Sequence, residues 1–145
     1  MTQIDFYVLP QDTLMARIHF MCRLVEKAVT RQHQVTLALD SEEQAASISD
    51  YLWSFKPESF LAHATQTAPH GAPVVLSWDT SDKSHEQHHD IMINLSQRIP
   101  NAFSQYQRVM EVVTQEENCL AKTRQHFQFY KDRGYPLKSH TISPT

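Results

Sequence analysis

The sequence predicts an α/β fold, an open and mostly parallel sheet of about five strands with helices on both faces. Three observations predict it. Short apolar runs of strand length alternate with longer stretches in which apolar residues recur every three or four positions. Helix-start signals follow the first two strand runs directly, as parallel strands joined by crossovers require. The length of 145 residues suits one domain, which at that size buries roughly 70% of its unfolded surface.

Taken in order, Asp5 to Leu9 reads as a buried strand, and Pro10 with Asp12 or Thr13 sets up a helix N-terminus. Leu14, Ile18, Met21, Cys22, Val25 and Val29 then recur at helical spacing to about Arg31. Val35 to Leu39 is a second strand. Ser41 with Gln44 forms a capping box, and Ala45, Ile48, Leu52 and Trp53 continue a helical face until Pro57. Ser59 to Ala64 reads as a short extended piece, Val74 to Trp78 as the third clear strand, Ile91 to Leu95 as the fourth and Arg108 to Val113 as the fifth. Asp79 to His89 is polar and aperiodic, hence a surface loop, and Ser96 to Phe103 is irregular around Pro100. Thr114 with Glu117 forms a second capping box that opens a helix ending near Gly134. The expected organisation is a single domain over residues 1–135 and a flexible tail over 136–145. Strand order is not readable.

Composition narrows the function. There are only two glycines, Gly71 and Gly134, and neither joins a strand to a helix. Cradling a phosphate needs several backbone N–H groups at a tight turn, usually supplied by closely spaced glycines, so nucleotide binding is disfavoured. The N-terminus lacks a basic segment followed by an apolar one, and no apolar run is long enough to span a bilayer, so no membrane association and a cytoplasmic address are expected. Cys22 and Cys119 sit in helical stretches and read as buried free thiols rather than a disulfide. The net charge is −3, but from Leu120 onward five cations face one acid, against eight cations and fifteen acids before it. An acidic body with a basic C-terminal helix repels phosphate, so strong direct DNA binding is not expected; an acidic peptide suits it better.

At Leu52-Trp53, Pro57-Glu58-Ser59-Phe60, Gly71-Ala72-Pro73-Val74 and Trp78 the chain resembles the chi subunits of bacterial DNA polymerase III holoenzyme. The likeness extends through Phe6-Tyr7-Val8-Leu9, Asp90 to Leu95, Glu111-Val112-Val113, Arg124, Tyr130 and Gly134-Tyr135. This resemblance implies a nucleotide-binding-like fold without a phosphate loop, and a non-catalytic clamp-loader accessory without cofactor. It also implies two partners: the psi subunit, and the acidic C-terminal tail of single-stranded-DNA-binding protein.

The local sequence offers a place for each. Arg124, Phe127, Gln128 and Lys131 share a face of the C-terminal helix. A peptide ending in an aromatic residue with a free carboxylate needs an arginine fork, an apolar cleft and a basic rim, and this helix could supply all three. The bland alternative is a core Phe127 under solvated cations. The resemblance brings Val113 into the tail pocket with Arg124 and Phe127. It also marks departures, since similar chi proteins carry lysine where Leu120 and Gln128 stand and tyrosine where Phe127 stands; weaker, more apolar binding is expected. Trp53 and Phe60 flank the turn after the second helix as interface anchors for psi, a surface that a helicase could share, or else Trp53 completes a core face. His85-Glu86-Gln87-His88-His89-Asp90 has metal-ligating types but no distant fourth ligand, and reads as a solvated loop. The rival from another class is a small α/β enzyme or nucleotide-binding regulator with an unusual loop, although no nucleophile elbow, His-Glu-x-x-His helix or Cys-x-x-Cys pair occurs.

Overall fold

A computed structural model describes residues 1–54, 63–65, 73–78 and 90–143. Its strands are β1 (Gln3–Val8), β2 (Val35–Ala38), β3 (His63–Thr65), β4 (Val74–Ser77), β5 (Ile91–Asn94), β6 (Arg108–Val113) and β7 (Leu137–Thr141). They form one open sheet in the order β3-β4-β2-β5-β6-β1-β7, and every neighbouring pair is parallel. The α/β expectation holds. The strand count rises from about five to seven because of the two edges: β3 is the short extended piece, and β7 lies in the segment expected to be a tail. Ile4 to Val8 pair in register with Leu137 to Thr141, so these residues complete the sheet instead of hanging free.

Alternating side chains along the strands divide the core in two. On one face Leu37, Leu76, Ile93 and Val112 pack against α1 (Leu14–Thr30) and α2 (Glu42–Ser54), which contribute Met21, Val25, Ile48 and Leu52. On the other, Ile4, Phe6, Met92 and Val109 pack against α3 (Glu117–Asp132) through Tyr130, and against Phe103 of the short 3-10 turn Asn101–Gln105. Burial on both faces explains the near-continuous apolar runs of the central strands.

The helix ends follow local chemistry. The Thr13 hydroxyl accepts from Ala16 N at 3.2 Å and opens α1. Ser41 accepts from Gln44 N at 3.1 Å and Gln44 Oε1 from Asp40 N at 2.6 Å, the expected box shifted back by one residue. The expected box at Thr114 and Glu117 does not form. Glu116 is the N-cap of α3, its carboxylate accepting from Asn118 N and Cys119 N at 3.0 and 2.8 Å. An acid at this position satisfies two otherwise unpaired N–H groups and opposes the helix dipole, and the same bonds hold its carboxyl below the usual range. Both α1 and α3 close in Schellman motifs: His33 N to Ala28 O and Gln32 N to Val29 O, then Tyr135 N to Tyr130 O and Gly134 N to Lys131 O. The left-handed residue is Gly134 in one (φ 78°) and Gln32 in the other (φ 67°).

Candidate functional site

A shallow groove of about 370 Å³ runs between α3 and the β1–β7 edge of the sheet. Phe6 and Val8 of β1 make its floor, Thr123, Arg124, Phe127 and Gln128 one wall, and Ser139 of β7 the other. Phe127 is 36% exposed and lies 5.6 Å from Phe6, ring centroid to centroid, so it is neither a core side chain nor a solvated one. Arg124 is exposed and has no ion-pair partner among the described residues, leaving its fork open toward the groove. Gln128 is tied along the helix, Nε2 donating to Asp132 Oδ1 at 2.6 Å.

The structure therefore brings together Arg124, Phe127 and Gln128 from the expected set. Leu120 lies one turn earlier, half-buried against the α3-side core, and Val113 is fully buried at the end of β6, supporting the helix from below. Lys131 is exposed but stands beyond the groove lining. Phe6, Val8 and Ser139 were not among the residues singled out. The strand alternation that puts residues 6 and 8 on one face was visible in the sequence, whereas the residues facing that edge follow from strand order. Trp53 belongs to α2, but its side chain, all of Phe60 and the histidine segment 85–89 lie outside the described residues. Among the described residues no cluster of three or more potential metal ligands occurs.

Beneath α3 lies a buried polar network. Glu111 on β6 accepts from His126 Nδ1 at 2.9 Å, Tyr130 Oη at 2.9 Å and Asn94 Nδ2 at 3.0 Å. His126 Nε2 faces Gln97 O at 2.9 Å. With an oxygen at each ring nitrogen, the protonated imidazole can donate both of its N–H groups here. Burial alone would lower its pKa, but the hydrogen bond and charge of Glu111, helped by the Gln97 carbonyl, outweigh burial and raise it. Burial, with the Glu111 charge, pushes the Tyr130 hydroxyl far above its ordinary range. This network fixes the pitch of α3 on the sheet, and with it the direction of Arg124 and Phe127.

A cavity of about 520 Å³ lies elsewhere, at the carboxyl ends of β2, β5 and β6, where open parallel sheets commonly hold nucleotides. Its chemistry suits a phosphate poorly. The starts of α1, α2 and α3 are capped by Thr13, Ser41 and Glu116, and Arg17 is spent on strand-end carbonyls, Nε donating to Val112 O at 3.0 Å and Nη1 to Leu95 O at 3.4 Å. Asp40 and Glu116 add negative charge to the lining, offset in part by Lys122.

Comparison with known proteins fits this geometry. Residues 1–138 match the family described as DNA polymerase III chi subunit, HolC. The chain belongs to the chi subunit family. Three proteins named DNA polymerase III subunit chi are similar along nearly their whole length. That of Pseudomonas aeruginosa is 36% identical over 142 residues, covering 98% of both chains. Those of Escherichia coli K12 and Haemophilus influenzae are 26% and 23% identical, covering 97% and 95% of this chain and 99% and 96% of theirs. Among the described residues of this chi-family chain, no helix is long and apolar enough to cross a membrane.

Proposed function

We propose that this chi-family chain is a non-catalytic, cytoplasmic accessory subunit of the DNA polymerase III clamp loader. It links the loader, through psi, to the acidic C-terminal tail of single-stranded-DNA-binding protein. The observation that carries the tail contact is the placement of Arg124 beside Phe127 over the Phe6–Val8 floor: a cationic fork adjoins an apolar slot, the pairing that a terminal carboxylate on an aromatic residue requires. Each contact is weak, and many tails on one coated strand raise the effective concentration. Trp53 and Phe60 remain the proposed psi anchors, and a helicase is a further candidate for that surface. Two described groups support the non-catalytic reading: Cys22 is buried with its thiol pushed up to about 11, and His126 is held between two oxygens.

The test is fluorescence anisotropy of a labelled acidic peptide ending in Asp-Ile-Pro-Phe, with a free carboxylate or amidated. Binding of the acid and not the amide supports a carboxylate-reading groove. Equal affinity of wild type and Arg124→Ala for the acid overturns it. A Phe60→Ala protein that folds and still binds psi removes the second surface.

A further inference from the structure

The opposite face of the β1–β7 edge carries a second cleft, about 480 Å³, between α1 and the sheet. Helices α1 and α2 cover the sheet from β6 to β4 on this side, and among the described residues no helix covers the edge. Tyr7, Phe20, Leu24, Met110 and Ile142 give the cleft an apolar lining, all but Met110 half-buried. Along its rim stand Arg23 and Lys27 of α1 and Arg31 at its C-cap, at successive four-residue steps along one side. All three are exposed, and none has an ion-pair partner among the described residues. Arg108 adds a fourth cation, although it lies 3.1 Å from the buried Asp5, near enough for an ion pair but not aligned as a hydrogen bond. Among the lining residues only Glu26, half-buried, is acidic.

The chain as a whole is acidic, which makes a concentration of cations around an apolar cleft a local property with a local cause. We infer that this cleft is a docking surface for an acidic amphipathic segment of a partner protein, its apolar side chains on the Tyr7–Leu24–Ile142 floor and its carboxylates against Arg23, Lys27 and Arg31. Charge complementarity with the rim selects the acid, and the aliphatic part of the floor selects the apolar side chains. Single-stranded nucleic acid fits less well. It binds by stacking bases on open aromatic faces, and Tyr7 is already stacked on His140 at 4.7 Å and packed by Phe20 at 5.6 Å. The surface differs in place and chemistry from the α3 groove, since it lies across the sheet and does not read a terminal carboxylate.

The experiment titrates the full chain with three fluorescein-labelled probes at low salt. They are an amidated peptide of alternating Glu, Asp, Leu and Phe, a polyglutamate of equal charge, and an oligothymidylate. The amphipathic peptide is expected to bind best, and the Arg23→Glu/Lys27→Glu/Arg31→Glu protein to lose about tenfold or more in affinity for it. The triple variant should keep its circular dichroism and its binding of the free-carboxylate tail peptide, which separates this surface from the groove. Unchanged affinity in the triple variant overturns the proposal. Equal binding of polyglutamate reduces the surface to a charge patch and likewise overturns it, and tighter binding of oligothymidylate replaces it with a nucleic-acid site.

Discussion

His126 Nδ1 lies 2.9 Å from Glu111 Oε1, and both side chains are almost wholly buried, so α3 is joined to the centre of the sheet by an ion pair out of contact with water. Breaking such a pair from one side leaves a buried charge unanswered. His126→Ala should therefore cost about 3 kcal/mol or more, measured by urea unfolding. Tyr130→Phe removes one of the three donors to Glu111 and should cost about 1–2 kcal/mol without opening a cavity.

The same pair gives stability a pH dependence of known sign. The folded-state pKa of His126 is raised, so the stabilisation is fully present below the ordinary histidine value of about 6.5 and is lost as pH rises through the folded value. Unfolding free energy should decline with pH above neutrality in the wild type. The part of that decline due to His126 should be absent in His126→Gln.

Tail affinity should respond to charge at the groove wall. Gln128→Lys places a cation beside Arg124, and binding of the acidic tail peptide should tighten by about threefold at low salt. The gain should disappear in concentrated salt, where exposed charges are screened. An equal gain at both salt concentrations would argue for packing instead of steering.

Gln32 holds φ 67° in the Schellman turn that ends α1, a conformation that costs a non-glycine residue roughly 1 kcal/mol. Gln32→Gly removes this strain but adds glycine's larger unfolded-state entropy of about 0.5–1 kcal/mol, so the net stabilisation should be about 0.5 kcal/mol or less. Differential scanning calorimetry would register this as a higher Tm.

The two thiols should differ in reactivity. Cys22 is buried in the α1-side core with its pKa pushed up to about 11, whereas Cys119 is half-buried near the start of α3. Iodoacetamide at neutral pH should label Cys119 first and Cys22 only on unfolding, as read by mass spectrometry.

What the sequence made legible follows from how strong each local signal is. The central strands and α1 were legible because burial on both faces leaves apolar runs, and one-sided burial leaves a 3.6-residue period. The β7 strand was not. Leu137-Lys138-Ser139-His140-Thr141 lies at an edge, exposed or half-buried throughout, and carries almost no hydrophobic pattern. The cap of α3 was misassigned because a threonine three residues before a glutamate is the commoner signature, while Glu116 is an unusual capping residue that only its hydrogen bonds reveal. Arg124 and Phe127 could be put on one helix face from spacing alone. Their neighbours Phe6 and Ser139 could not, because they come from distant segments joined by strand order.

That strand order also constrains how the molecule is made. The first strand has no partners except β6 and β7, which are synthesised more than a hundred positions later. During translation an early apolar segment, Phe6-Tyr7-Val8-Leu9, must wait without hydrogen-bonding neighbours until nearly the entire domain has emerged. Such long-range closure is slow and leaves β1 open to wrong pairings in the interval. Because both grooves are built around β1, neither can receive a partner from a nascent chain, and assembly into a larger complex is confined to molecules that have finished folding.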